Sequence, residues 1–309
     1  MPTIPHCSPP QWPAPIGAGR FASRIGREAA AGCAVALLGL PDCLGVRLNG
    51  GRPGASEGPA AFRAALARYG AAEPCGWAYP GVFDAGDVLP ATGMDEASLH
   101  ETHRRISEAS AALAAMGLVP VAIGGGHDLT FPFVRGVISH LRANKPPAVF
   151  EGVYVDAHLD VRETVGSGMP FRRLVEDCGV RALDLFGFSP FVNTPAHREW
   201  FIAHGGRLHE GWPGAIPSAR SPGAARFMSV DLDAIDAAHA PGVSAENPCG
   251  AMPGVVAALA ESAGRSDDVV CFDIMELSPR HDHADRTARL AAHLFLSFLR
   301  GFAQRGRSA

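Results

Sequence analysis

The chain has 309 residues, 47% of them hydrophobic, with a mean hydropathy of +0.07 and a formal charge of −4. That is enough apolar side chain for one large core or two ordinary ones. No block of like charge suits a nucleic acid or a membrane surface, and no apolar run is long enough to span a bilayer. The N-terminus carries Pro and polar residues where a signal peptide would be apolar. The seven cysteines are scattered, odd in number and without a C-x-x-C pair, so no disulfide framework or structural zinc site is expected and a reducing cytoplasm is the natural setting. Lys145 is the only lysine, in an expected loop before Pro146-Pro147, which removes a P-loop lysine and makes Schiff-base chemistry a poor fit.

Residues 1–30 are rich in Pro and Gly and are expected to form an arm over the surface, leaving 31–309 as a single domain. Ala34–Leu40 reads as the first buried strand. A Gly-rich loop follows over 45–54. Ser56 is placed to cap a helix reaching about Tyr69, with Gly70 ending it. Val82–Asp87 is a short strand, and Asp95–Met116 a long helical pattern closed by Gly117. Val119–Ile123 is a strand with Pro120 near its start. A helix is expected over 129–141, a strand over 152–155, a helix over 171–178 and a strand over 181–186. Thr194–His204 is helical, Arg207–His209 a short strand and Phe227–Val230 a further strand. Helix 253–262, strand 269–274 and helix 284–302 complete the pattern. About eight apolar strands, each followed by a helix, predict one α/β domain with a parallel sheet covered on both faces.

Ligands of such sheets sit outside the carboxyl ends of the strands. Three strands end in metal-ligand residue types. The first runs into Gly124-Gly-Gly-His127-Asp128, the second into Asp156-Ala-His158-Leu-Asp160, the third into Asp231-Leu-Asp233. Alternation in an extended segment puts Asp156, His158 and Asp160 on one face, and would continue to Arg162. The six candidates are therefore His127, Asp156, His158, Asp160, Asp231 and Asp233. Four carboxylates balance two divalent cations, and a metal pair makes a water nucleophilic at neutral pH. One imidazole per metal in an oxygen-rich set suits Mn2+, with Fe2+, Co2+, Ni2+ and Zn2+ left open. Each piece alone has a plainer reading: an acidic strand end, a phosphate-binding glycine turn, or a capped loop. The metallophosphoesterase pattern shares Asp-x-His, but there that element comes first. Ser167 lacks the G-x-S-x-G context of a nucleophile elbow.

Taken together, Gly-Gly-x-His, Asp-Ala-His-x-Asp and Ser229-Val-Asp-Leu-Asp-Ala-Ile-Asp236 resemble the arginase/agmatinase/formimidoylglutamase (ureohydrolase) family from about residue 34 to 300. The resemblance implies a three-layer α/β/α sandwich with eight parallel strands, two divalent ions, a small-molecule substrate, and a trimer or hexamer. Four features are similar to the formimidoylglutamase branch: Asp128 after His127, Arg162 after Asp160, Ser167-Gly-Met-Pro-Phe-Arg172, and the run Ala240–Ala245 with Glu276-Leu-Ser-Pro279 and Arg286-Thr-Ala-Arg289. The loop Asn49-Gly-Gly-Arg52-Pro-Gly-Ala also resembles it, with Arg52 or Asn49 turned to the site. Ser278 departs from the branch's usual Asn. The reaction so implied converts N-formimidoyl-L-glutamate and water to L-glutamate and formamide. Asp160 would orient the attacking water and move its proton, and Glu276 would pair with the amidinium. Arg162, with Ser167, would bind the substrate's carboxylate end. The alternatives are an agmatinase or another guanidino-acid hydrolase, and a catalytically silent binding protein of the same fold.

Overall fold

The two faces of each central strand feed two separate cores. In the computed structural model, Val35 and Leu37 pack into one core while Ala36, Leu38 and Leu40 pack into the other. Val153 and Val155 likewise oppose Tyr154, and Phe272 and Ile274 oppose Cys271 and Met275. A strand apolar on both faces must be covered on both. The structure describes residues 4–70, 72–73, 78–144 and 149–306; Cys75 and Lys145 lie outside them.

The elements, in chain order, are β1 (Cys7–Ser8), β2 (Val35–Leu40), α1 (Leu44–Leu48), α2 (Gly58–Leu66), β3 (Val82–Val88), α3 (Glu96–Ala115), β4 (Val119–Gly124), α4 (Thr130–Asn144) and β5 (Phe150–Val155). Then come α5 (Pro170–Glu176), β6 (Val180–Phe186), α6 (Pro195–Ala203), β7 (Gly206–His209), β8 (Ala225–Asp231), α7 (Pro253–Arg265), β9 (Val269–Met275) and α8 (Arg286–Phe302). Among the described residues the sheet has nine strands, in the order β1-β3-β2-β4-β9-β8-β5-β6-β7. All pairings are parallel except β1 with β3, so the eight expected parallel strands are present, with one short antiparallel edge added. Phe62, Val256 and Phe295 place α2, α7 and α8 on one face; Ile106, Phe133, Phe171 and Phe201 place α3 to α6 on the other. This is a three-layer α/β/α sandwich, as the resemblance implied.

Local detail departs from expectation at Ser56. Ser56 is not a cap: it lies in a 3₁₀ turn over Ala55–Glu57, and α2 starts at Gly58 without a side-chain cap. Pro59 sets the first helical turn instead, since its fixed φ suits that position. By contrast Asp95 caps α3, accepting from Ser98 N at 2.9 Å. Within residues 1–30, Cys7 and Ser8 pair with Val88 and Asp87, and Ile4, Phe21, Ala22 and Ile25 are buried.

Buried Arg63 of α2 clasps the end of β3. Its Nε and Nη2 donate to Asp84 at 2.8 and 2.9 Å, and its Nη1 donates to Asp87 at 2.6 Å. Trp12 Nε1 donates to the same Asp84 at 2.8 Å. The pair is bidentate and hydrogen-bonded on all sides, which a charge out of water requires.

Candidate metal centre

The centre of the sheet sets the site. Strands β4, β9, β8 and β5 are four parallel neighbours, and each places its functional residues at or just past its carboxyl end. Residues 156–162 are not the extended segment that alternation predicts: β5 stops at Val155. His158 N then donates to Asp156 Oδ1 at 2.7 Å, and Asp160 has a positive φ of 48°. The chain turns, and the turn converges the side chains that alternation was expected to align. The same device follows β8, where Asp233 N donates to Asp231 Oδ1 at 2.7 Å. A short Asp side chain that binds backbone two residues on makes such a turn.

All six candidate ligands meet. His127 Nδ1 lies 3.1 Å from Asp156 Oδ2, 2.9 Å from Asp160 Oδ2 and 3.1 Å from Asp231 Oδ2. His158 Nδ1 lies 3.4 Å from Asp156 Oδ1 and 3.2 Å from Asp233 Oδ2. These are two sets, His127/Asp156/Asp160/Asp231 and Asp156/His158/Asp233, each with its ligand atoms within 4.8 Å of one another. Asp156 belongs to both and turns one oxygen to each, as a bridge between two cations must.

The donor set fits divalent metal. His127 Nε2 is 3.0 Å from Ser229 Oγ, which donates to Asp273 Oδ1 at 2.5 Å. With Ser229 donating to Asp273, Nε2 of His127 donates to Ser229, and Nδ1, the atom turned to three carboxylates, is the one that would take a metal ion in place of a proton. His127 Nδ1, Asp156 Oδ2 and Asp233 Oδ1 are buried without a hydrogen-bond partner. Burial, reinforced by neighbouring carboxylates, pushes Asp231 well above the usual carboxylate range. Burial likewise lifts Asp233 to about 7, with His158 opposing. Burial works against the His158 imidazolium, yet Asp233 and Asp156 carry it to about 12. A cluster that holds on to protons this way is short of positive charge, and two divalent ions supply it.

Glu276 follows β9 and stands beside the ligands with a φ of 63°. Its Oε1 accepts from His127 N at 3.0 Å, while Oε2 is buried with no partner. Burial, then the Asp231 charge, raises its pKa well above the ordinary value. Two non-glycine residues with positive φ, Asp160 and Glu276, thus flank the cluster, where backbone strain commonly gathers.

A cavity of about 150 Å³ opens over these groups, lined by His127, His158, Asp160, Asp231, Asp233 and Glu276 below, and by Asn49, Arg162 and Ser167 on one wall. Among the described residues no acid pairs with Arg162; its Nη1 donates to Asn49 Oδ1 at 2.7 Å. Glu163 pairs with Arg172 instead. Of the two loop residues, Asn49 faces the cavity. Arg52 turns away to Ser244 O, Val243 O and Glu246. Ser278 is fully buried, and its Oγ has no hydrogen-bond partner among the described residues. The Gly124–Gly126 turn is no phosphate cradle, because Gly125 N and Gly126 N are spent on Leu40 O and Asp42 O. A larger cavity of about 870 Å³ runs along the β7 edge past Arg207, His209 and Trp212, but it holds none of the clustered carboxylates.

Sequence reasoning missed the supports. Asp273 sits in an apolar strand, and a carboxylate inside Val-Val-Cys-Phe-Asp-Ile was a usable signal. Asp128 is buried, with His103 Nε2 2.9 Å from its Oδ2. Nothing local paired it with a residue 25 positions earlier.

A fold with metal-ligand carboxylates at the ends of central parallel strands defines a class, and the Arginase family profile matches residues 33–300. The chain belongs to the arginase family. The formimidoylglutamase of Aromatoleum aromaticum is 36% identical over 291 residues, covering 88% of this chain and 84% of that protein. That of Ralstonia nicotianae is 34% identical over 298 residues, covering 88% and 86%. A crystal structure of the Trypanosoma cruzi formiminoglutamase with Mn2+ matches with a TM-score of 0.78 at 27% identity, over 93% of this chain and 99% of that one. Among the described residues, no helix is long and apolar enough to cross a membrane.

Proposed function

We propose that the chain hydrolyses N-formimidoyl-L-glutamate to L-glutamate and formamide, with Mn2+ as the metal. The observation that carries the reading is the shared cavity. It has two ligand sets joined by Asp156 and an unpartnered Glu276 oxygen at its base, and an arginine with no carboxylate partner among the described residues on its wall. His127, Asp156, Asp160 and Asp231 would hold one ion, and Asp156, His158 and Asp233 the other. The pair, when bound, supplies Lewis-acid activation of a water at neutral pH.

The remaining work falls to the chain's own residues. Asp160, held against His127 at the cavity floor, orients the water and carries its proton to the leaving nitrogen. Glu276 Oε2, which lines the cavity without a partner, would face the cationic amidinium and orient its electrophilic carbon. Arg162 and Ser167 bind the carboxylates at the far end, where a guanidinium fork suits an anion and repels the ammonium of agmatine. That charge logic favours formimidoylglutamate over agmatine. Relatives with this name in both comparisons support the same choice. The protein would work in the cytoplasm, as a trimer or hexamer.

The test is a manganese-loaded substrate panel. Formimidoylglutamate, agmatine and guanidino acids are offered, and formamide, urea and ammonia are measured. Formamide from formimidoylglutamate is expected; urea from agmatine as the main product would reject the reading.

A further inference from the structure

We infer that Asn49 is the positioning residue of substrate recognition: its amide binds Arg162 and Ser167 into one carboxylate-reading unit. The inference rests on the formimidoylglutamate reading above. Asn49 Oδ1 accepts from Arg162 Nη1 at 2.7 Å, and Asn49 Nδ2 donates to Ser167 Oγ at 3.2 Å. This orientation of the amide is forced. A guanidinium has no acceptor, so the carbonyl end must face Arg162 and the NH2 end must face Ser167.

The consequence lies in what remains. Ser167 Oγ is already used as an acceptor, so its own proton is free to donate into the cavity. Arg162 keeps its other N–H groups, and no carboxylate among the described residues takes them. The wall therefore presents donors and a positive charge. It fits a carboxylate and rejects an ammonium or a second guanidinium.

The unit is also fixed from behind. Arg162 N donates to Gly168 O at 2.8 Å, and a Cβ on Gly168 would come within 2.8 Å of Arg162 Cδ, so the arginine stem lies flat on that backbone. Asn49 N and Ser167 N both donate to Gly45 O, at 3.1 and 3.0 Å. Gly45 in turn sits against buried Asp128, whose Oδ1 would be 2.0 Å from a Cβ there. Two loops distant in sequence, 45–49 and 162–168, are thus registered through one carbonyl. Asn49 closes the register on the cavity side.

The experiment is a double-substitution cycle in manganese-loaded enzyme, with KM and kcat for formamide release measured separately. Asn49→Ala should raise KM for formimidoylglutamate about tenfold, the scale of one hydrogen bond to a charged group, with kcat and metal content nearly unchanged. Arg162→Ala combined with Asn49→Ala should cost clearly less than the product of the two single effects, because the stronger of Asn49's two contacts runs through the arginine and only the Ser167 contact is left to lose. Asn49→Asp, which keeps the shape, should raise KM further than Asn49→Ala, since a carboxylate there neutralises Arg162 and repels the substrate. An unchanged KM in Asn49→Ala, or two effects that multiply in the double variant, overturns the inference. Wild-type enzyme that releases no formamide rejects the substrate reading itself, a separate result.

Discussion

Glu276→Gln tests the site at the point where its charge matters most. The substitution keeps the size of the side chain and leaves the backbone at φ 63° undisturbed. The amide carbonyl can still accept from His127 N, as Oε1 does now at 3.0 Å. What changes is the other end. The partnerless Oε2 becomes an NH2 group, so a donor faces the N–H groups of a cationic amidinium where an acceptor stood. Losing one preorganised electrostatic contact of this kind costs roughly 3 kcal/mol of transition-state stabilisation, or about 10²-fold in kcat/KM. The assay is steady-state formamide release with metal content measured on the same sample. Two ions per chain should be retained, because Glu276 stands outside both ligand sets. The metal-free fold should not suffer, because a carboxylate repelled by Asp231 is replaced by a neutral group. A kcat/KM within about threefold of wild type would refute the pairing and leave Glu276 as a structural residue that holds the His127 turn.

Arg162→Ala should raise KM for formimidoylglutamate by about 10- to 100-fold while leaving metal content intact, and a silent substitution would end the carboxylate role. Chelation should abolish activity, and metal affinity should fall as pH drops below about 7, because ions must displace the protons that burial holds on Asp233 and Asp231. Titration calorimetry at pH 6 and 8 measures this; a flat profile contradicts it. In the metal-free protein these raised carboxylates bind more protons folded than unfolded. Their contribution to stability therefore falls as pH rises from the unfolded value near 4 through about 7. Melting of metal-free protein between pH 5 and 8 should follow that sign. Arg63→Met should cost about 3–5 kcal/mol in denaturant unfolding, since it strands the buried Asp84 without its partner; a cost under about 1 kcal/mol would mean that Asp84 finds another.

The strands that bear the site were legible because a strand buried on both faces is a continuous apolar run with an abrupt polar end. Val155 and Val230 each stand directly before a ligand aspartate, and Ile123 runs into three glycines and then His127. The manner of their convergence was not legible. Alternation describes a strand, but Asp156 and Asp231 each bind the backbone two residues on and stop the strand there. The edge strand Cys7–Ser8 was also hidden. Two residues carry no periodicity, and their pairing with Asp87 and Val88 is a long-range contact. Asn49 shows the same limit from the functional side. Its role depends on Arg162 and Ser167, more than 110 residues away, and no local pattern marks such a latch.

The order of strands across the sheet has a consequence for how the chain is made. β4 and β5 are consecutive in sequence, yet β9 and β8 stand between them. At the usual strand spacing, that sets the two about 14 Å apart at the level of the sheet. A nascent chain ending before Ala225 has His127, Asp156, His158 and Asp160 but lacks both intervening strands, and with them Asp231, Asp233 and Glu276. Neither metal pocket can close on such a fragment. In this topology, ligation would come late: both ligand sets are complete only when roughly the last quarter of the polypeptide has threaded into the middle of the sheet, so metal uptake would report a sheet that has closed.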